Sequence, residues 1–198
     1  AFLLESDGEE RLAGPITLKT DPAGNRSFLA DLAGNPAPLF LPEYAAFLGN
    51  RLTLDVQGTR FADGRLDLER LDLGAQALRL SGKLSLAADG LPQLIDVTGS
   101  ILAPDGTPVL LPIPGEIQTR VGKADLALRF DAAQGSAWQG HVTVLALDRS
   151  DLAVRTLALT GAGTIDRLTG MPGVDGGLGF AAAGLAAADK ALAAALGT

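Results

Sequence analysis

A two-residue rhythm of leucine constrains this chain more than anything else in it. In Ala77-Leu78-Arg79-Leu80-Ser81-Gly82-Lys83-Leu84-Ser85-Leu86, the leucines at 78, 80, 84 and 86 share one parity, while Arg79, Ser81, Lys83 and Ser85 share the other. A period of two belongs to the β-strand, so the leucines point to one face of a sheet and the polar groups to the opposite face. The rhythm returns at Leu52, Leu54 and Val56, and again at Leu126, Leu128 and Phe130. A chain that repeats it builds one long apolar surface backed by one long wet surface.

The punctuation between these runs is Asp-Gly, found at 7–8, 63–64, 89–90, 105–106 and 175–176. Asp-Gly supplies the positive-φ residues of tight turns, which predicts hairpins around 63–64, 89–90 and 105–106. Strands are expected near 15–20, 26–32, 51–60, 65–73, 76–87, 93–102, 108–112, 124–132, 137–147, 151–159 and 162–167. Consecutive hairpins make an antiparallel meander, so the fold class is mainly β.

Two strands break parity. Leu66 and Leu68 are out of step with Leu71 and Leu73, and Leu152 and Val154 with Leu157 and Leu159. One extra residue flips the face, so a β-bulge or a change of sheet is expected at Glu69-Arg70 and at Arg155-Thr156. Bends at both places would curl the sheet.

Short helices are expected at 41–48 and 185–196. The first has Pro42 at its start and Gly49 past its end, with Leu41, Tyr44, Ala45 and Leu48 on one face. The second is Ala-rich, places Leu185, Ala188, Leu192 and Leu196 together, and stops at Gly197. The two glycines lie 148 residues apart, which suggests a repeat boundary near 49–51 and an elongated, stacked array. The whole of 1–198 reads as a single β-groove segment of a larger protein. Residues 103–115 carry Pro108, Pro112 and Pro114, which cannot serve a central ladder and belong to an edge or a loop.

Composition narrows the chemistry. The chain is 47% hydrophobic but only 5% aromatic, so leucine and alanine stand where β-branched and aromatic residues usually do. Such a surface is smooth and gives each contact little shape specificity. The net charge of −7 and the absence of a basic cluster argue against nucleic acid and against anionic lipid head groups. Any bound lipid is expected to be held by its acyl chains. There is no cysteine and one histidine, His141, on the polar parity with Gln139 and Thr143; no metal site, cofactor or catalytic residue is expected. The glycine-rich stretches 161–163 and 173–179 lack the strand–glycine–helix context and the Lys-Ser/Thr of a phosphate loop and read as a flexible connection. No stretch approaches the roughly eighteen uncharged apolar residues of a membrane-spanning helix.

The phrase Leu66-x-Leu68-x-x-Leu71-x-Leu73-Gly74, followed by Leu78-x-Leu80-x-Gly82-x-Leu84-x-Leu86, resembles the repeating β-groove proteins of the TamB/AsmA group. The 103–115 stretch and the Leu48-Gly49-x-Arg51-Leu52-x-Leu54 join are similar to its alphaproteobacterial TamB branch in particular. The resemblance implies an elongated, curled, taco-like antiparallel sheet with a hydrophobic interior. It also implies a periplasmic segment of an inner-membrane-anchored protein that carries phospholipid toward the outer membrane. With a BamA-type partner met by other parts of the protein, such a bridge assists outer-membrane protein assembly.

The residues expected to face acyl chains are Leu52, Leu54 and Val56; Leu66 and Leu68; Leu78, Leu80, Leu84 and Leu86; Leu126, Leu128 and Phe130; and Val142 and Val144. The competing expectation is a structural β-sandwich or solenoid spacer in which the same leucines close a dry core. The two differ in geometry, since a sandwich covers both leucine rows and a groove leaves one row open.

Overall fold

In the computed structural model, which describes residues 1–113, 117–166 and 173–187, the alternating segments join into one antiparallel sheet of fourteen strands that does not close on itself. In chain order these are β1 (Phe2–Ser6), β2 (Glu9–Gly14), β3 (Ile16–Thr20), β4 (Arg26–Gly34), β5 (Leu52–Arg60), β6 (Leu66–Gly74) and β7 (Leu78–Leu86). Next come β8 (Pro92–Leu102), β9 (Val109–Leu110), β10 (Thr119–Val121), β11 (Lys123–Asp131), β12 (Ala137–Arg149), β13 (Leu152–Asp166) and β14 (Gly173–Ala187). From β3 to β8 each strand pairs with the next; β8 then pairs with β11, and β11 to β14 again follow in order. β9 and β10 form a tab that joins the far end of β12.

The hairpins at 63–64 and 89–90 form as expected, and Asp7-Gly8 adds another, with φ of 57° and 75°, the type I′ pattern. Two Asp-Gly pairs behave otherwise. Asp105-Gly106 makes a turn, with the Gly106 N–H donating to Ala103 O at 3.0 Å, but β8 and β9 on either side of it do not pair. The turn instead carries the chain over the end of the sheet, so that the 108–112 strand shrinks to Val109–Leu110 between Pro108 and Pro112; Pro114 lies outside the described residues. Asp175-Gly176 is no turn at all, because it lies inside β14.

β14 is the main departure from the sequence reading. Residues 173–187, expected as a flexible connection leading into a helix, form a strand of 15 residues, and Leu185, Ala186 and Ala187 are its end. Glycine and alanine have low strand propensity, but β13 offers an unbroken template from Leu152↔Ala187 to Asp166↔Gly173. The ladder overrides propensity. Residues 188–196 of the expected helix lie outside the described residues. β13 itself is one strand where two were expected, and residues 1–14, read as neither strand nor turn apart from Asp7-Gly8, form β1 and β2.

Both parity breaks are real irregularities, of different kinds. In β6 the ladder slips: Gln57 pairs with Arg70 and Gly58 with Leu68, leaving Glu69 as the extra residue of a bulge. The bulge keeps Leu66 and Leu68 on the same face as Leu71 and Leu73, so no change of sheet is needed. At Arg155 no residue is inserted, since Leu145↔Thr156 and Leu147↔Val154 keep one register. Instead the neighbours opposite Arg155 turn left-handed, Ala146 at φ 51° and Gly184 at φ 64°. The result is a crease running across three strands. A Cβ on Gly184 would sit 2.7 Å from the Arg155 Cβ. Gly184→Ala is therefore expected to destabilise the fold by about 1–2 kcal/mol, the cost of a left-handed non-glycine residue, read from the urea midpoint.

Among the described residues the buried cluster around the helix is small and lies at one end of the sheet, while Leu32, Phe130, Val154 and Ile165 are buried apart from it. Pro42–Tyr44 form a 3-10 turn that runs into α1 (Ala45–Leu48), and Phe47 and Leu48 of α1 pack against Ala77, Ala103 and Val109. The α1 carbonyls are capped by the start of β7: the Ala77 N–H donates to Phe47 O at 3.1 Å and the Gln76 N–H to Leu48 O at 3.2 Å. The inward face differs from the expected one. Leu41 is 58% exposed and Ala45 is exposed, whereas Phe47 is only 6% exposed. A 3-10 turn advances about 120° per residue rather than the 100° of an α-helix, which rotates the face that meets the sheet.

Turns at both ends of the sheet are held by aspartates. Asn25 side-chain and backbone N–H groups hold Asp21, the Arg65 backbone N–H holds Asp63, and the Thr107 backbone N–H holds Asp105 at the helix end; each carboxyl is kept below the ordinary 3.8. A depressed carboxylate contributes stability above its unfolded value and loses it as pH falls through its folded value. These turns are thus expected to stay protected between pH 7 and 5. NMR titration should find all three midpoints below 3.8.

Candidate functional site

The register decides which side chains share a face, because directly paired residues project the same way. Starting from Leu54, the row runs to Leu32 on β4 in one direction and to Leu73 and Leu80 in the other. It continues through Gly99, Leu126, Val142 and Leu159 to Phe180 on β14. Nine strands contribute, and every member is apolar or glycine.

The flanking rows repeat this. From Val56 the row passes through Leu71, Gly82 and Val97 to Leu128, then crosses Gly140 and Gly161 to Leu178. From Phe28 it passes through Gly58, Leu68, Leu84 and Ile95 to Phe130 and Trp138. Leu66 and Leu86 extend the turn end. Leu52, and Leu78 with Ile101, Ala124, Val144 and Leu157, form the row nearest the helix. All fourteen residues singled out from sequence therefore stand on one face. Four rows two residues apart cover about 20 Å along the strands, at about 3.4 Å per residue.

Exposure divides this face. Phe130 and Val144, expected on the open surface, are 3% and 8% exposed and belong to buried packing. Most of the other leucines are half-buried, and toward β14 the face opens: Leu126 is 38%, Leu159 41%, Phe180 78% and Leu178 87% exposed. Among the described residues no second layer covers it. Phe47 and Leu48 close only the helix end, where Leu78 and Ile101 pack against them.

Glycines let the apolar side chains lie flat. A Cβ on Gly99 would be 3.2 Å from Leu80 Cδ1 and from Leu126 Cδ2, and one on Gly140 3.1 Å from Leu128 Cδ1. Trp138 crosses two strands in this way. Its ring would lie 2.9 Å from a Cβ on Gly161 and 2.6 Å from one on Gly176, and its Nε1–H donates to Asp175 O at 3.1 Å. The ring's one polar atom is satisfied by the β14 backbone, so its apolar surface joins Phe130.

The opposite face is hydrophilic. Arg70 Nη1 meets Asp55 Oδ2 at 2.8 Å, and Arg129 Nε meets Asp96 Oδ1 at 3.6 Å. Hydroxyls pair across strands, Ser27 with Thr59 at 3.2 Å and Ser81 with Thr98 at 3.1 Å. His141 stands here, exposed, opposite Ala127 and Thr160. Among the described residues no cluster of His, Asp or Glu could hold a metal ion, and no helix is long and apolar enough to cross a membrane.

Sequence reasoning missed half of the apolar face. Leu71 and Leu73 were hidden by the parity break, and Leu178 and Phe180 by the glycine-rich context of β14. Leu32, Val97, Ile95 and Trp138 carry the right parity, but only the register shows which rows they complete. No family profile, no curated protein and no solved structure matches this chain.

Proposed function

We propose that this chain shields the acyl chains of phospholipid on its apolar face, as a segment of a bridge that moves lipid from the inner to the outer membrane. The observation that carries this reading is the uninterrupted apolar row from Leu32 to Phe180, half-buried through its middle strands and open toward β14. Each methylene removed from water is worth about 0.8 kcal/mol. The roughly 20 Å of apolar strand surface exceeds the half-thickness of a bilayer core, which spans about 30 Å, so an acyl chain fits along the strands. A smooth leucine surface holds such a chain without selecting its length.

The wider setting rests on the resemblance to the TamB/AsmA group. It comprises a periplasmic location, an inner-membrane anchor and a BamA-type outer-membrane partner engaged by other parts of the protein. No chemical step is part of the proposal. The spacer reading requires a layer over the leucines, and the described residues form a single sheet.

The chain has one tryptophan, and it lies on the apolar face, which supplies the test. Phospholipid brominated in its acyl chains is expected to quench Trp138 fluorescence by at least about half, while the unbrominated lipid leaves it unchanged. Mass spectrometry of the purified chain should show co-eluting phospholipid. Equal fluorescence with both lipids, and no lipid in the mass spectrum, overturns the reading.

A further inference from the structure

The Asp-Gly pairs of this chain are chemically alike, yet the fold holds them very differently. Three share one arrangement. At 63–64, 89–90 and 105–106 the glycine N–H donates to the carbonyl three residues back, Phe61 O at 3.0 Å, Ala87 O at 2.9 Å and Ala103 O at 3.0 Å. The aspartate carboxylate accepts the N–H two residues on, from Arg65 at 3.1 Å and from Leu91 and Thr107 at 3.0 Å. Side chains tighten two of these turns: Arg65 Nε donates to Asp63 Oδ2 and Thr107 Oγ1 to Asp105 Oδ1, each at 2.8 Å. Asp175-Gly176 is fixed in the β13–β14 ladder, where Asp175 O accepts the Trp138 Nε1–H at 3.1 Å.

Asp7-Gly8 has none of these restraints. Among the described residues the Gly8 N–H meets no acceptor, and no backbone N–H reaches the Asp7 carboxylate. Its partner is the neighbouring Ser6 hydroxyl, which donates to Oδ2 at 3.2 Å. Asp7 also sits at φ 57°, where its Cβ crowds the carbonyl that follows. These differences lie inside the turns themselves.

We infer that Asp7-Gly8 is a site of spontaneous covalent modification to isoaspartate, and that the fold protects the other four Asp-Gly pairs from the same reaction. The Gly8 nitrogen attacks Cγ of the protonated Asp7 carboxyl. A new N–Cγ bond forms, and one carboxyl oxygen leaves as water with the amide proton and the carboxyl proton. Glycine favours this step because it has no side chain to obstruct the closing ring. Water then adds back to the succinimide. Opening at the Asp7 main-chain carbonyl breaks its bond to the Gly8 nitrogen and leaves the chain running through Cγ.

The held pairs resist at both reacting atoms, since the amide is engaged as a donor and the carboxylate as an acceptor. Backbone N–H donation also keeps the Asp63 and Asp105 carboxyls below the ordinary 3.8, in the ionised form that is a poor electrophile. Isoaspartate adds one backbone carbon to the loop. The two-residue turn that sets Ser6 opposite Glu9 then no longer fits, so β1 loses its register on β2. Nothing in this depends on whether the apolar face carries lipid.

The test is to age the full chain in mildly acidic buffer made with heavy-oxygen water and to map its peptides by mass spectrometry. In the native chain isoaspartate carrying one heavy oxygen should build up at residue 7 at least about tenfold faster than at 63, 89 or 105, because each of those must first break two hydrogen bonds. In urea, where the turns are lost, all five pairs should react at similar rates. Asp7→Glu should abolish the product at that position, because the longer side chain closes a six-membered ring poorly. No isoaspartate at residue 7 of the native chain overturns the inference, as do equal rates at the four turns. The same ranking in urea also overturns it, because local sequence rather than the fold would then set the rates.

Discussion

Leu80→Asp is expected to strip bound phospholipid from the chain while leaving its strands in place. Leu80 sits near the middle of the longest apolar row, between Leu73 and Gly99. It is half-buried, so an aspartate there keeps enough contact with water to stay ionised, and the ladder bonds of β7 are untouched. An acyl chain laid across the same row would have to desolvate that carboxylate with no partner. Burying an uncompensated polar group costs at least about 1–3 kcal/mol and an isolated charge far more. Lipid photocrosslinking should fall by at least about tenfold, since each factor of ten corresponds to about 1.4 kcal/mol. Ser81→Asp supplies the control one residue away, because Ser81 pairs with Thr98 on the hydrophilic face and should leave crosslinking unchanged. If Leu80→Asp retains full crosslinking with an unaltered circular dichroism spectrum, the apolar face is not the lipid path.

Phe47→Ala is expected to cause the largest loss of stability. Few side chains in this open sheet are fully buried, and Phe47 anchors the one cluster in which helix, β7 and β9 meet. Truncating a buried phenylalanine costs about 3–5 kcal/mol, against a total stability of about 5–15 kcal/mol for a domain of ordinary size. The urea midpoint should fall accordingly with little change in slope. Truncating exposed Leu41 should move it by less than about 0.5 kcal/mol. Equal effects from the two variants would mean that α1 does not pack on the sheet through Phe47.

The reach of the sequence was uneven, for physical reasons. Alternation is local, so Leu78 to Leu86 announced a strand and its apolar side without any knowledge of neighbours. The hairpins at 63–64 and 89–90 were legible because the positive-φ requirement is met by residues adjacent in the chain. The bulge at Glu69 was legible as a parity break. Its consequence was not, because whether an inserted residue flips a face or is squeezed out depends on the partner strand. The helical face was misjudged at Phe47, since a proline-started 3-10 turn changes the angle per residue.

Sequence by itself determined that this chain makes antiparallel strands with one leucine face. Only the tertiary structure decided that the separate leucine stripes align into common rows. Register is set by pairing between residues far apart in the chain, and a slip of one residue would send each stripe to the other side. It also decided that the glycine- and alanine-rich end is a strand, because the ladder offered by β13 outweighs the weak local preferences of Gly173–Ala187.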